Sequence, residues 1–193
     1  MNNNRLARRD FFATLTVIII TLMALTGGWI IKNIVQDDAR LIGMGDYTVQ
    51  LPRDWVLAPS QAPEQLWAWN KRAPHEKMRL SEIPSTAAVP LSSVAWQRNL
   101  ARGQQLDTYH VLEESPVLID GRTGYKISFA YVLPGESNEL PVVITGVDYL
   151  FAHSNGTAVL VFTAEAPSGY LPALLTQFHS FMFSVPVAEG GVR

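Results

Sequence analysis

Val142-Val143-Ile144-Thr145-Gly146-Val147-Asp148-Tyr149-Leu150-Phe151 runs through His153-Ser154-Asn155-Gly156 into Thr157-Ala158-Val159-Leu160-Val161-Phe162-Thr163-Ala164, and this stretch decides the fold. Asn-Gly between two apolar runs is a strong hairpin signal, because both central positions of a tight hairpin turn need positive φ. Val142, Ile144 and Leu150 alternate with Val143, Val147 and Phe151, so both faces of the first strand are apolar. A strand buried on both faces belongs in the middle of a sheet that is covered on each side. Asp148 interrupts this run. A carboxylate in so apolar a stretch needs a partner, since an unpaired buried charge is costly. Two readings follow for it: it lies near a strand end or accepts bonds from a neighbouring backbone or arginine, or it is a polar anchor facing a ligand or a subunit.

Working outward, Tyr125, Ile127, Phe129 and Tyr131 share one face of a strand from Tyr125 to Leu133. It is joined at Asp120-Gly121 to a strand over His110 to Ile119. Downstream, Leu171, Leu174, Leu175, Phe178, Phe181 and Met182 recur at helical spacing, and Pro172 is tolerable in the first turn. Upstream, Pro90 and Ser92 open a helix with Ser92 as N-cap and Gly103 as its stop. Trp96 and Leu100 would pack inward there, and Arg98 and Arg102 would face water. Tyr47 to Leu51, Gln65 to Asn70 and Met78 to Ile83 read as further strands, ended by Pro52 in the first case and Pro84 in the last. Trp67 and Trp69 occupy alternate positions of the second. Core packing is the first reading for them, and an exposed aromatic surface for a partner is the second.

The fold class is therefore α+β, with an antiparallel sheet flanked by helices. The expected organisation is a basic segment over 1–10, a transmembrane helix over 11–35, a linker over 36–45, a domain over 46–185 and a flexible tail over 186–193.

The membrane segment rests on Phe11 to Ile31, 21 residues without a charge. At about 1.5 Å per residue such a helix reaches roughly 30 Å, the thickness of a bilayer core. Phe11, Phe12, Ile18, Ile19, Ile20, Leu22 and Ile30 supply the apolar surface, Trp29 suits the interface, and the scattered threonines can bond back to the helix backbone. The run exceeds the roughly 7–15 residues of a signal-peptide core and is expected to be retained as an anchor. Residues 1–32 carry Arg5, Arg8, Arg9 and Lys32 against Asp10, so the N-terminus is expected in the cytoplasm and the domain outside the cytoplasmic membrane.

The 193 residues contain 15 Lys plus Arg, 17 Asp plus Glu and no cysteine. Disulfides, thiol nucleophiles, thiolate zinc sites and iron–sulfur clusters are thereby excluded. Residues 33–193 are net acidic and lack the basic face that a phosphate backbone requires, so nucleic acid is not an expected partner. His75, His110, His153 and His179 show no metal-ligand spacing and read as solvated surface residues, and no G-x-S-x-G, P-loop or G-x-G-x-x-G occurs. Glu113 and Glu114 are adjacent but would point to opposite faces of a strand. No catalytic residue, cofactor or metal is expected.

Two resemblances add to this. Ala7-Arg8-Arg9-Asp10-Phe11-Phe12 resembles the twin-arginine export motif, with Arg8 and Arg9 as its pair, and departs from it at Ala7 and Ala13. Tyr47-Thr48-Val49 followed by Pro52 and Trp55, the Asp120-Gly121 turn, the paired central strands and the ending Phe181-Met182-Phe183-Ser184 are similar to the PsbP-like (Mog/PsbP, DcrB/LpqN-type) domains over residues 46–185. That resemblance implies a layered α/β/α domain in a family of accessory and binding proteins without a common enzymatic activity. The resulting expectation is a non-catalytic accessory, stabilising or assembly subunit of a larger membrane complex, with a respiratory or photosynthetic electron-transfer assembly in view. The alternative is a module binding a lipid, glycan or metal ion. Expected partners are the bilayer and other subunits of the complex, and Asp148, Trp67 and Trp69 are the candidate interaction residues.

Overall fold

The computed structural model describes residues 14–28, 40–44, 47–58, 65–86, 89–135, 139–153 and 156–185. The chain divides into two units, residues 1–39 and 40–193.

In the first unit, residues 14–28 form a helix (α1). Ile18, Ile19, Ile20 and Leu22 on it are all exposed, with no buried stripe. Thr21 Oγ1 donates to the Val17 carbonyl at 2.9 Å and Thr26 Oγ1 to that of Leu22 at 2.8 Å, so the threonines do bond back to their own helix. Among the described residues no helix is long and apolar enough to cross a membrane. The fifteen described residues of this helix rise about 22 Å. The remaining residues expected in the anchor, Phe11, Phe12, Trp29 and Ile30, and the arginine pair Arg8 and Arg9, lie outside the described residues.

The second unit orders its elements as β1 (Arg40–Met44), β2 (Tyr47–Leu51), β3 (Trp55–Leu57), β4 (Gln65–Asn70), β5 (Ala73–Pro84), α2 (Leu91–Gln105), β6 (His110–Ile119), β7 (Arg122–Leu133), β8 (Val142–Ala152), β9 (Ala158–Pro167) and α3 (Leu171–Phe183). β3 to β9 form one sheet in the order β3-β4-β5-β9-β8-β7-β6, and β1 pairs with β2 separately. Every pairing is antiparallel. β9 lies at the centre, buried from Ala158 to Ala166. The expected α+β class with an antiparallel sheet between helices is what forms.

Two apolar cores lie on the two faces of the sheet. One joins Tyr47, Val49 and Leu51 of β2 with Leu66, Met78, Leu80, Phe151, Phe162 and the α3 residues Leu174, Phe178, Phe181 and Met182. The other joins Ile127, Phe129, Tyr131, Ile144, Leu150 and Val161 with Val94 and Ala95 of α2. The β6–β7 hairpin closes through Asp120 (φ 51°) and Gly121 (φ 75°), the paired positive φ values of a type I′ turn. Trp55 follows Pro52 in a turn, its N–H donating to the Pro52 carbonyl at 3.1 Å, and its indole Nε1 donates to Gln177 Oε1 of α3 at 3.1 Å.

Four local readings are corrected. Residues 40–44, expected in a polar linker, are a strand because only two residues separate them from Tyr47 and Ile42 packs against the core. α2 begins at Leu91 behind Pro90, with no side-chain cap bond from Ser92. It also runs through Gly103 to Gln105, because its packing outweighs one glycine. His153 and His179 are half-buried against aromatic rings rather than fully solvated: His153 meets the Tyr47 ring at 5.7 Å, and His179 meets Tyr149 at 6.1 Å.

Candidate functional site: a charged sheet face under an inverted helix

Residues directly opposite one another in neighbouring strands share a face. The register Trp67–Arg79–Thr163–Asp148–Ile127 therefore places one row across the sheet on the side that α2 covers. The next row on that side is Trp69–Lys77–Glu165–Gly146–Phe129.

Asp148 is completely buried in this row. It accepts from Arg98 Nε at 2.6 Å, from Arg102 Nη1 at 2.7 Å and Nη2 at 3.0 Å, and from Thr163 Oγ1 at 2.7 Å. Thr163 Oγ1 in turn accepts from Arg98 Nη2 at 3.0 Å, which closes a ring of bonds. Arg102 lies over the Phe129 ring, its Cζ 4.0 Å from the centroid. Beside it, Tyr131 donates to buried Glu165 at 3.3 Å, and burial together with that carboxylate pushes the Tyr131 hydroxyl far above the ordinary range. Asn99 of α2 accepts from Tyr109 Oη at 2.6 Å and donates to Glu114.

The expectation that Arg98 and Arg102 face water and that Trp96 and Leu100 pack inward is overturned. The helix is turned the other way round: Trp96 is 64% exposed and Leu100 51%, while Arg102 is buried. The physical reason is Asp148. Leu91, Val94, Ala95, Arg98 and Arg102 form an equally regular stripe, and only that stripe supplies cations to the buried carboxylate. Arg98 and Arg102 are also the only charged residues of α2, so the outward face of the helix carries no charge at all.

Burial on its own would raise the Asp148 pKa; the charges of Arg98 and Arg102 and the bonds from Arg98 and Thr163 outweigh it and hold the carboxyl below its ordinary value. A depressed folded value means that Asp148 contributes stability above its unfolded pKa and that this contribution is lost as pH falls through the folded value. Asp148→Asn is therefore expected to flatten the decline in stability below about pH 4, as read by urea melts across pH. A carboxylate with its oxygens so occupied fastens α2 to the sheet and has no lone pair left for acid–base work. Of its two sequence readings, the arginine-partnered one is what forms.

Trp67 and Trp69 lie on the same side, beyond α2 on β4. The alternation expected of β4 is present, but Leu66 and Ala68 take the buried positions and Trp67 is 38% exposed. The core reading is thus corrected to a surface one for Trp67, while Trp69 is half-buried. The Trp67 indole has two cations against it, Arg79 Cζ 4.7 Å and Lys77 Nζ 5.7 Å from the centroid. Glu113 and Glu114 diverge as expected, the first to Lys126 and the second to Asn99. Among the described residues no group of three or more His, Asp or Glu could hold a metal ion.

No protein-family model and no curated protein matches this sequence. Solved structures do. Cyanobacterial PsbP (CyanoP) from Synechocystis sp. PCC 6803 superposes with a TM-score of 0.54 at 11% identity, covering 78% of this chain and 92% of its own. The Ran-binding protein Mog1p of Saccharomyces cerevisiae superposes with a TM-score of 0.51 at 14% identity, covering 78% and 95%. At these identities the likeness concerns the fold, and the domain has the PsbP-like α+β fold that residues 46–185 resemble.

Proposed function

We propose that this chain is a non-catalytic, single-pass membrane protein whose domain lies outside the cytoplasmic membrane and serves as an accessory, stabilising or assembly subunit of a larger membrane complex. The inverted helix carries this reading. A helix that turns its only two charges inward and presents Trp96 and Leu100 one turn apart on a face without charge has the composition of an interface core, depleted in charge and anchored by an aromatic residue. An apolar segment over Phe11 to Ile31 would hold that face at one membrane and raise its local concentration beside an integral partner. The yeast protein of the same fold is a Ran-binding protein, a role in protein recognition, and recognition of a protein is the class assigned here. An electron-transfer complex is the first assembly to search.

Tagged chain solubilised from native membranes in a mild detergent is expected to co-migrate with a larger complex on native gels. The Trp96→Ser/Leu100→Ser variant is expected to lose that co-migration while its stability changes by no more than about 0.5 kcal/mol, as for exposed positions. Migration of the unaltered chain as a lone species would refute the subunit reading, and the domain would then be screened for bound small molecules.

A further inference from the structure

Trp67 and Arg79 face each other across β4 and β5, as do Trp69 and Lys77 two residues further along. Arg79 is half-buried, stacked on the exposed Trp67 ring, and has no hydrogen-bonded acceptor among the described residues. A guanidinium against a ring face can still offer its fork of N–H donors to an acceptor in its own plane. Burial is the largest influence on Arg79 and lowers its pKa, Glu165 raises it, Arg98 and Arg102 lower it again, and Asp148 raises it. Arg98, Arg102 and Asp148 satisfy one another under α2, which leaves Lys77 and Arg79 against Glu165 on this part of the face. Glu114 is at the far edge, bonded to Asn99. Two half-buried cations against one buried carboxylate thus sit on a domain that is otherwise net acidic.

We infer that the Trp67–Arg79 and Trp69–Lys77 ladder is a docking site for an extended acidic segment of a partner protein, with carboxylates on Arg79 and Lys77 and the peptide lying against the tryptophans. The spacing favours a peptide as occupant. Arg79 and Lys77 are two residues apart on one strand, about 6.6 Å, which is the repeat of alternate side chains in an extended chain. The charge favours an acidic one, because carboxylates on a guanidinium make paired, charge-assisted bonds. This names the partner's chemistry within the function proposed above, yet it is read by a separate measurement.

The test uses the full chain in neutral detergent and a fluorescein-labelled octaglutamate peptide, followed by anisotropy, with octaglutamine as the uncharged comparison and inorganic phosphate as competitor. Arg79→Gln is expected to weaken octaglutamate binding about tenfold or more. Lys77→Gln should weaken it in the same direction. Lys71→Gln, which removes an equal charge at the β4–β5 turn, should leave binding unchanged. Equal binding of octaglutamine, indifference to both Arg79→Gln and Lys77→Gln, an equal loss with Lys71→Gln, or binding of phosphate without the peptide would each overturn the site. Such a failure leaves co-migration through Trp96 and Leu100 untouched, and failure of co-migration leaves peptide binding to be read on its own.

Discussion

Asp148→Ala is expected to destabilise the domain by about 3–5 kcal/mol, the cost of removing one partner from a buried ion pair, as measured by urea unfolding. The loss exceeds that of the bonds themselves. Arg98 and Arg102 would remain under α2 with their charges uncompensated, Arg102 still pressed on Phe129 and Arg98 left with Thr163 alone. The size of the effect is therefore a property of the orphaned cations. A triple replacement follows from this: Asp148→Leu with Arg98→Met and Arg102→Met removes all the charge at once and is expected to recover most of the loss, because well-packed apolar substitutes for buried ion networks are often neutral or stabilising. Recovery in the triple variant would separate a network that orients α2 from one that supplies net stability. A triple variant as unstable as Asp148→Ala would show that the polar ring is needed for folding itself.

The second large effect is on the opposite face. Phe178→Ala is expected to cost about 3–5 kcal/mol, with a cavity left where the ring was. Phe178 is fully buried between Tyr149 and Phe181, with ring centroids 6.1 Å away in both cases, and it seats α3 on β9. Phe183, in the same helix but 37% exposed, provides the comparison, and Phe183→Ala should lose far less. Thermal or urea melts of the two variants side by side test whether the apolar spacing in α3 reports burial. Equal losses would contradict the packing described.

The two helices show how much the sequence could tell. In α3 the apolar positions carry no competing pattern, so Leu174, Phe178, Phe181 and Met182 were legible as the buried face, and so were β6, β8 and the turn at Asp120-Gly121. In α2 two stripes compete, one through Trp96 and Leu100 and one through Val94, Ala95, Arg98 and Arg102. Local hydrophobicity favours the first. What selects the second is Asp148, 46 residues beyond Arg102, whose need for a partner was visible in its own strand but not from the helix. The orientation could be read only by matching the two unexplained features to each other. Trp67 and Trp69 failed differently: alternation shows that β4 has two distinct faces, and size alone points the larger residues inward. The cations opposite them on β5, Arg79 and Lys77, both lie against the Trp67 ring and become visible only once the register is known. In β1 the signal was short, five residues with Gly43 among them and Gly45 directly after, and the pairing with β2 is what makes it a strand.

The outward face of α2 can be examined most directly by placing a photo-crosslinking amino acid at position 96 in the full chain, in native membranes, with the same group at exposed Thr176 on α3 as comparison. The expected result is a discrete protein adduct from position 96 and none from position 176. Adducts from neither position, or equal adducts from both, would contradict the assignment of the inverted helix as the surface that meets a partner.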